Sequence, residues 1–252
     1  MKIAVCVKQI PDPASPYQLD PTTHNLVRPT EQVLDDTDRY GVEVGLQIAG
    51  ETEGTVTLVS MGPSGNLNGI RQALAMGADG AILIDDEALR GSDSLTTAKI
   101  LAAAMAPESF DIVIAGTEST DGYSGVVPQQ IAELLGVPAL TYAKKIDVEG
   151  STVRINRQTA TGYDTVEAPT PVMVSVTAGV VEPRYPTFKG IMDAKKKPVE
   201  TKTASDLGIT VTVNQRIALV VPAPFRSGGQ IVIDEGTGHE KIIAMLEQAK
   251  VI

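Results

Sequence analysis

The chain is poor in the residues that build most small catalytic and metal centres: one cysteine, two histidines and no tryptophan. A single cysteine excludes an internal disulfide and any multi-cysteine metal site. Cys6 lies inside an apolar run and reads as a small core residue. His24 stands in a proline-rich loop and His239 at the start of a late helix, so neither fits a triad or a metal spacing, and solvent is the expected place for both. No apolar run approaches the length of a membrane span, and the opening MKIAVCV enters a strand with no signal-peptide pattern, which predicts a cytoplasmic protein. Positive charge is also short. With 21 Lys+Arg against 31 Asp+Glu the net charge is −10, which argues against nucleic acid as the main partner.

What is present suits one large α/β core. The 252 residues are 42% hydrophobic, enough for such a core with an arm. Continuous apolar runs at 2–7, 55–60, 81–84 and 111–115 read as buried parallel strands. Between them lie helical spacings at about 35–51, 64–76 and 92–106, the last with Leu95, Ala98, Ala102 and Met105 facing inward. A further helix is expected at 127–135. Strand and helix alternate, so the predicted fold is a doubly wound, mostly parallel, Rossmann-like α/β sheet. The segment 153–177 changes character to a small β-rich addition, in which VRINRQ and DTVEA pair antiparallel and PVMVSVT is a buried strand. Residues 1–200 form the nucleotide-binding domain. Beyond Pro198 dense periodicity is lost, and 201–252 is expected to be an extended C-terminal arm wrapping a partner subunit, because Ile217, Val220, Val221 and Phe225 have no evident intrachain core. Asp85, Asp86 and Glu87 read as a solvated turn at a strand end.

Two stretches carry chemistry. GTESTDGYSGVV, at 116–127, joins a buried strand to a helix. Its glycines permit close backbone approach, and the helix beyond offers free N–H groups to an anion. Residues 6–8, 61–63 and 115–117 should converge on it at the carboxyl ends of the strands, where such folds bind nucleotides. Neither a G-x-G-x-x-G nor a P-loop pattern is present, so by themselves these residues read first as an ordinary glycine-rich turn and second as a phosphate cradle. The second stretch is EPRYPTFKGIMDAKKKP, at 182–198. Pro183 and Pro186 enforce an extended connection over 182–187. Gly190 offers a pivot, and a helical turn at 191–194 ends in Lys195, Lys196 and Lys197. Phe188 is either a core side chain or an exposed anchor.

EPRYPTFKGIMDAKKKP, with its upstream valine-rich strand, resembles the signature loop of the electron-transfer flavoprotein β subunit. The resemblance implies that 182–198 is a recognition loop for flavin dehydrogenases such as acyl-CoA dehydrogenases, with Phe188 as the anchor and Arg184, Tyr185, Ile191, Met192, Lys195 and Lys196 around it. It implies an obligate α subunit holding most of an FAD, electrons passing to a membrane quinone oxidoreductase, and AMP bound by this chain. By position the AMP site falls on Cys6, on Asp35, Asp36, Thr37 and Asp38, on Met61, and on Gly116, Thr117, Glu118, Ser119, Thr120, Asp121, Gly122, Tyr123, Ser124, Gly125, Val126 and Val127. Many relatives carry Asn-Pro where this chain has Asp35 and Asp36, and Asn-Gln-Thr where it has Gly125 to Val127, so contacts from the loop backbone are the ones the resemblance supports. Two alternatives stay open: a bifurcating electron-transfer flavoprotein in which a second FAD replaces AMP and NADH is oxidised, and a stand-alone nucleotide-binding α/β domain without flavin.

Overall fold

The structure is a computed structural model that describes all residues except 63–65, 213, 222, 224–228 and 230. In chain order the elements are β1 Lys2–Cys6, β2 Gln9–Ile10, β3 Val33–Leu34, α1 Asp36–Thr52, β4 Thr55–Met61, α2 Asn68–Met76, β5 Gly80–Ile84, α3 Ser94–Met105, β6 Ile112–Gly116, α4 Val127–Leu135, β7 Ala139–Glu149, β8 Thr152–Gln158, β9 Tyr163–Pro169, β10 Val172–Val176, α5 Phe188–Ala194, β11 Val199–Lys202 and α6 Gly238–Gln248. Among the described residues nine strands form one sheet in the order β11-β5-β4-β1-β6-β10-β7-β8-β9. The pairs from β11 to β7 are parallel. Those of β7 with β8 and β8 with β9 are antiparallel, with Val153 opposite Ala168, as the β-rich segment predicts.

Alternation along the strands sends side chains to two separate cores. Ile3 and Val5 of β1 join Ile112 and Ile114 beneath α1 and α2. Ala4 and Cys6 join Val113 and Ala115 beneath α3 and α4. Both faces are therefore covered, which is why the strands are apolar throughout. α1 lies close to the sheet because it presents glycines to it: a Cβ on Gly45 would stand 2.9 Å from Val5 Cγ2, and one on Gly41 would stand 3.5 Å from Ile114 Cγ2. Each glycine costs a helix about 1 kcal/mol relative to alanine, and the close seat brings the start of α1 over the strand ends.

Some details differ from the sequence reading. Leu95 is exposed rather than inward-facing; it belongs to the first turn of α3, which Asp93 caps by accepting from Thr96 N. The helix expected at 64–76 is observed from Asn68, and part of its expected first turn lies outside the described residues. α5 starts at Phe188, so Gly190 sits within the helix and not as a pivot ahead of it. The Thr187 hydroxyl caps it by accepting from Gly190 N at 3.0 Å. β11 was not anticipated; it is short and polar, and it pairs with β5 at the sheet edge.

By packing, the chain divides into two compact units, Met1–Ile217 and Ala218–Ile252. In the first, Ala204 is buried, and Leu207, Ile209 and Val211 pack against the core shared with α3 and α4. The second contains α6, with Leu219, Val221, Ile231 and Ile233 strongly exposed; Phe225 lies outside the described residues. No described helix is long and apolar enough to cross a membrane.

Candidate functional site

Strand order reverses between β1 and β6, since β4 and β5 continue on one side of β1 while β6 begins the other. At this switch point the connections leave in opposite directions and open a crevice at the carboxyl ends. Three segments enter it: Lys8 after β1, the start of α1, and the loop after β6.

The network there is built from buried carboxylates. Asp35 is fully buried and caps α1, with Oδ1 accepting from Thr37 N at 3.1 Å and from the Thr37 hydroxyl at 2.9 Å. It also fastens the loop, taking Thr120 N at 2.6 Å and the Thr120 hydroxyl at 2.7 Å. Asp38, one turn on, accepts from Lys8 N at 2.6 Å. Burial, and then the nearby Asp35, push the Asp38 carboxyl well above the usual carboxylate range. Burial, and then Asp38, push the Cys6 thiol up to about 12, which makes it inert. Asp121 has no exposed side-chain surface and receives two cations, Lys8 Nζ at 2.6 Å and Arg28 Nη2 at 2.5 Å. Burial alone would raise its pKa; the charges and hydrogen bonds of Lys8 and Arg28 outweigh it and hold the carboxyl below the usual range. Lys8 Nζ also donates to Ser119 Oγ at 3.2 Å.

Of the predicted residues this network joins Asp35, Thr37, Asp38, Ser119, Thr120 and Asp121 and leaves out Asp36, and Pro63, also expected here, lies outside the described residues. Asp36 is exposed and faces Arg39, at 3.6 Å, instead of the loop. Gly116 ends β6 where a Cβ would meet Asp38 Oδ1 at 3.1 Å and Thr37 Oγ1 at 3.5 Å, so the loop's approach to α1 requires glycine. Thr117 is held to Val176 O through its N–H and its hydroxyl, and Glu118 O accepts from the Thr37 hydroxyl. Met61 closes β4 on the neighbouring strand. Tyr123, Ser124 and Val126 are exposed on the outer wall, and Gly125 has a positive φ of 65°.

α4 begins at Val127 with no side-chain cap, and because Pro128 has no N–H, only Val127 and Gln129 carry the first-turn N–H groups that suit an anion. In its first turn, Gln129 Oε1 and Gln130 Oε1 are buried without a donor among the described residues, which suits ligand hydroxyl or amine groups. Gly116 to Val127 runs from the end of β6 directly into this helix start. Sequence reasoning missed Arg28, Gln129 and Gln130. Arg28 stands 93 positions from Asp121, in a loop whose proline content was its most visible property. Beyond Arg28 a cavity of about 740 Å³ is lined by Thr30, Gln32, Asp85, Asp86 and Arg90 among others. Asp86 caps Ala88 N there and accepts from Ala204 N.

The second stretch lies elsewhere on the first unit. Residues 182–187 carry no helix or strand, as the prolines predict. Phe188 is 82% exposed and Tyr185 80%, while Ile191 and Met192 are about half exposed; Phe188 is thus not a core residue. Lys195 and Lys196 are exposed, whereas Lys197 Nζ donates to Leu74 O.

Known proteins supply an independent comparison. A sequence model of the Electron transfer flavoprotein domain matches residues 23–207. The chain is 40% identical to a protein of Mycobacterium leprae (strain TN) named Electron transfer flavoprotein subunit beta, with 99% of each chain covered. It is 35% identical to the protein of the same name from Megasphaera elsdenii, over 96% of this chain and 95% of that one. It is also 35% identical to the Caffeyl-CoA reductase-Etf complex subunit CarD of Acetobacterium woodii, over 83% of this chain and 81% of that protein.

Proposed function

The chain belongs to the electron transfer flavoprotein family, among its β subunits, and from that premise we propose that it forms an obligate heterodimer with an α subunit and relays electrons from flavin dehydrogenases, acyl-CoA dehydrogenases among them, to a membrane quinone oxidoreductase. FAD, held mainly by the α subunit, supplies the electron-accepting chemistry. This chain docks the donor, wraps the α subunit with the part of its C-terminal arm beyond Ile217, and binds AMP at the switch point. The observation that carries the docking role is the exposed group Tyr185, Phe188, Ile191 and Met192 beside Lys195 and Lys196. An apolar cluster rimmed by charge is characteristic of a protein contact.

In the crevice, Asp35 and Thr120 hold the loop after β6, Gly116 lets it approach, and the start of α4 presents N–H groups to phosphate. Lys8 and Arg28 are engaged by Asp121, so they orient the loop rather than meet the ligand directly. A second reading, in which a second FAD replaces AMP in a bifurcating protein, rests on Asp35, Asp36 and Gly125 to Val127, which depart from what many relatives carry at these positions.

The test is co-expression with an α-type chain, followed by extraction and identification of the bound nucleotides. One FAD and one AMP per heterodimer supports the main reading, and two FAD supports the second. A chain that takes up no α subunit and no flavin overturns both in favour of a stand-alone nucleotide-binding domain.

A further inference from the structure

The docking reading leaves open how a short irregular stretch presents its anchor. Ordering a free segment on contact costs backbone conformational entropy, and immobilising its side chains costs more. A docking segment that had to be ordered on contact would lose most of what Phe188 contributes.

The stretch is instead tied at both ends. Upstream, Arg184 meets the carboxylate of Glu43 on α1 with three donors: Nε to Oε2 at 2.7 Å, Nη2 to Oε1 at 2.9 Å and its own backbone N–H to Oε2 at 3.1 Å. Glu43 is only 3% exposed and also accepts from Gln47 Nε2 at 2.9 Å. Arg39, likewise on α1, lies over the Tyr185 ring at 5.5 Å. Downstream, a Cβ on Gly190 would stand 2.5 Å from Ala75 O, so α5 rests directly on the backbone of α2. Arg71 donates to the carbonyls of Ala194 and Lys197, and Lys197 returns a bond to Leu74 O. The exposed apolar side chains all lie between Arg184 and Ala194.

Glu43 is the unusual member. It is an acid among buried residues of α1, next to Val42 and Val44. Its partner Arg184 is half exposed, and an ion pair open to solvent on one side contributes little net stability, so stability does not account for it. What the pair supplies is a fixed, bidentate geometry for the chain just ahead of the anchor.

We propose that Glu43 is a positioning residue for partner docking: through Arg184 it holds 185–192 in the pose that receives the dehydrogenase, so that Phe188 binds without an ordering step. The proposal rests on the docking reading above. It assigns Arg184 to holding the segment, and contact to Tyr185, Phe188, Ile191 and Met192.

The experiment uses the FAD-loaded heterodimer and three variants, Glu43→Gln, Arg184→Met and Phe188→Ala. The rate of FAD reduction is measured against the concentration of a reduced acyl-CoA dehydrogenase that reduces the wild type, with dithionite reduction, FAD content and melting as partner-independent readouts. Arg184→Met opens the same tie from its half-exposed side, should Glu43→Gln fold poorly. The expected result is a KM for the dehydrogenase raised roughly tenfold in both tie variants, or about 1.4 kcal/mol, with kcat and dithionite reduction unchanged. A raised KM in Phe188→Ala alone overturns the positioning role while leaving the docking reading in place. Unchanged KM in all three removes the docking reading and the inference with it. Loss of FAD and of melting temperature in Glu43→Gln, with normal KM in Arg184→Met, marks Glu43 as purely structural and also overturns the proposal.

Discussion

In the crevice, three carboxylates are buried and fastened by other segments; on the docking stretch, apolar groups stand in solvent and the charged ones beside them do the fastening. Asp35, Asp38 and Asp121 are each held by bonds from other segments, since a carboxylate out of water without partners is very costly. Phe188 and Tyr185 have most of their surface in water and are not required by the core. The difference predicts which observable moves on mutation. A change in the crevice should register in stability or nucleotide content, and a change on the stretch should register in partner kinetics alone.

The largest effect is expected at Asp121. Asp121→Ala strands Lys8 and Arg28 beside a cavity, and breaking a buried pair costs about 3–5 kcal/mol. Because the two cations retain about a third and a fifth of their side-chain exposure, the lower end applies, about 3 kcal/mol. Thermal melting should fall by several degrees. A melting temperature equal to wild type would break the contrast at its buried end.

Next comes Phe188→Ala, which removes a central anchor worth about 2 kcal/mol of partner affinity, or roughly thirtyfold. The rate of FAD reduction at limiting dehydrogenase should drop accordingly while melting stays put. A collapsed melting temperature would place Phe188 in the fold rather than in the contact.

A smaller and more local change is Gly116→Val. The new Cβ crowds Asp38 and Thr37, and such overpacking costs about 1–3 kcal/mol, displacing the start of α1 from the loop. The AMP content of the heterodimer should decrease severalfold while FAD remains. FAD lost with AMP retained would show that the loop lines the flavin instead.

The smallest effect concerns pH. A carboxyl whose pKa is raised on folding, such as Asp38, binds more protons folded than unfolded. Its contribution is fully present below the ordinary value of 3.8 and is lost as pH rises through the folded pKa. Asp121 runs the other way: its lowered pKa contributes stability above the ordinary value, lost as pH falls through the folded one. Asp38→Asn should therefore gain on the wild type as pH is raised from about 4 to about 8, in the field of Asp35, Lys8 and Asp121. Parallel melting curves for the two proteins across that range would refute the assignment.

Local pattern made much of the framework legible. Apolar runs long enough for a strand and too short for a helix mark β1, β4, β5 and β6, and the spacing of apolar residues marks the helices between them. α4 was read with its observed limits because Val127–Leu135 has a glycine stop at Gly136, which takes the left-handed conformation a helix end favours. Pro183 and Pro186 likewise announce an irregular segment, since each fixes its own φ and constrains the residue before it. β11 was invisible for the converse reason: VETK is polar and is a strand only because β5 offers an open edge. Leu95 fits a helical stripe, yet the cap at Asp93 sets the phase of α3 and turns it outward.

By itself, then, the sequence determined the buried strands, the helices that alternate with them and the glycine-rich turn at 116–127, because each depends on neighbours within a few residues. The tertiary structure decided which charges meet and which apolar groups stay outside. Arg184 reaches a carboxylate 141 positions away, and Asp121 gathers cations 113 and 93 positions away. Such pairs exist only once the sheet has brought the strand ends together, because a charge has no periodic signature in the chain. Its partner is selected by the low dielectric of the place where both are buried.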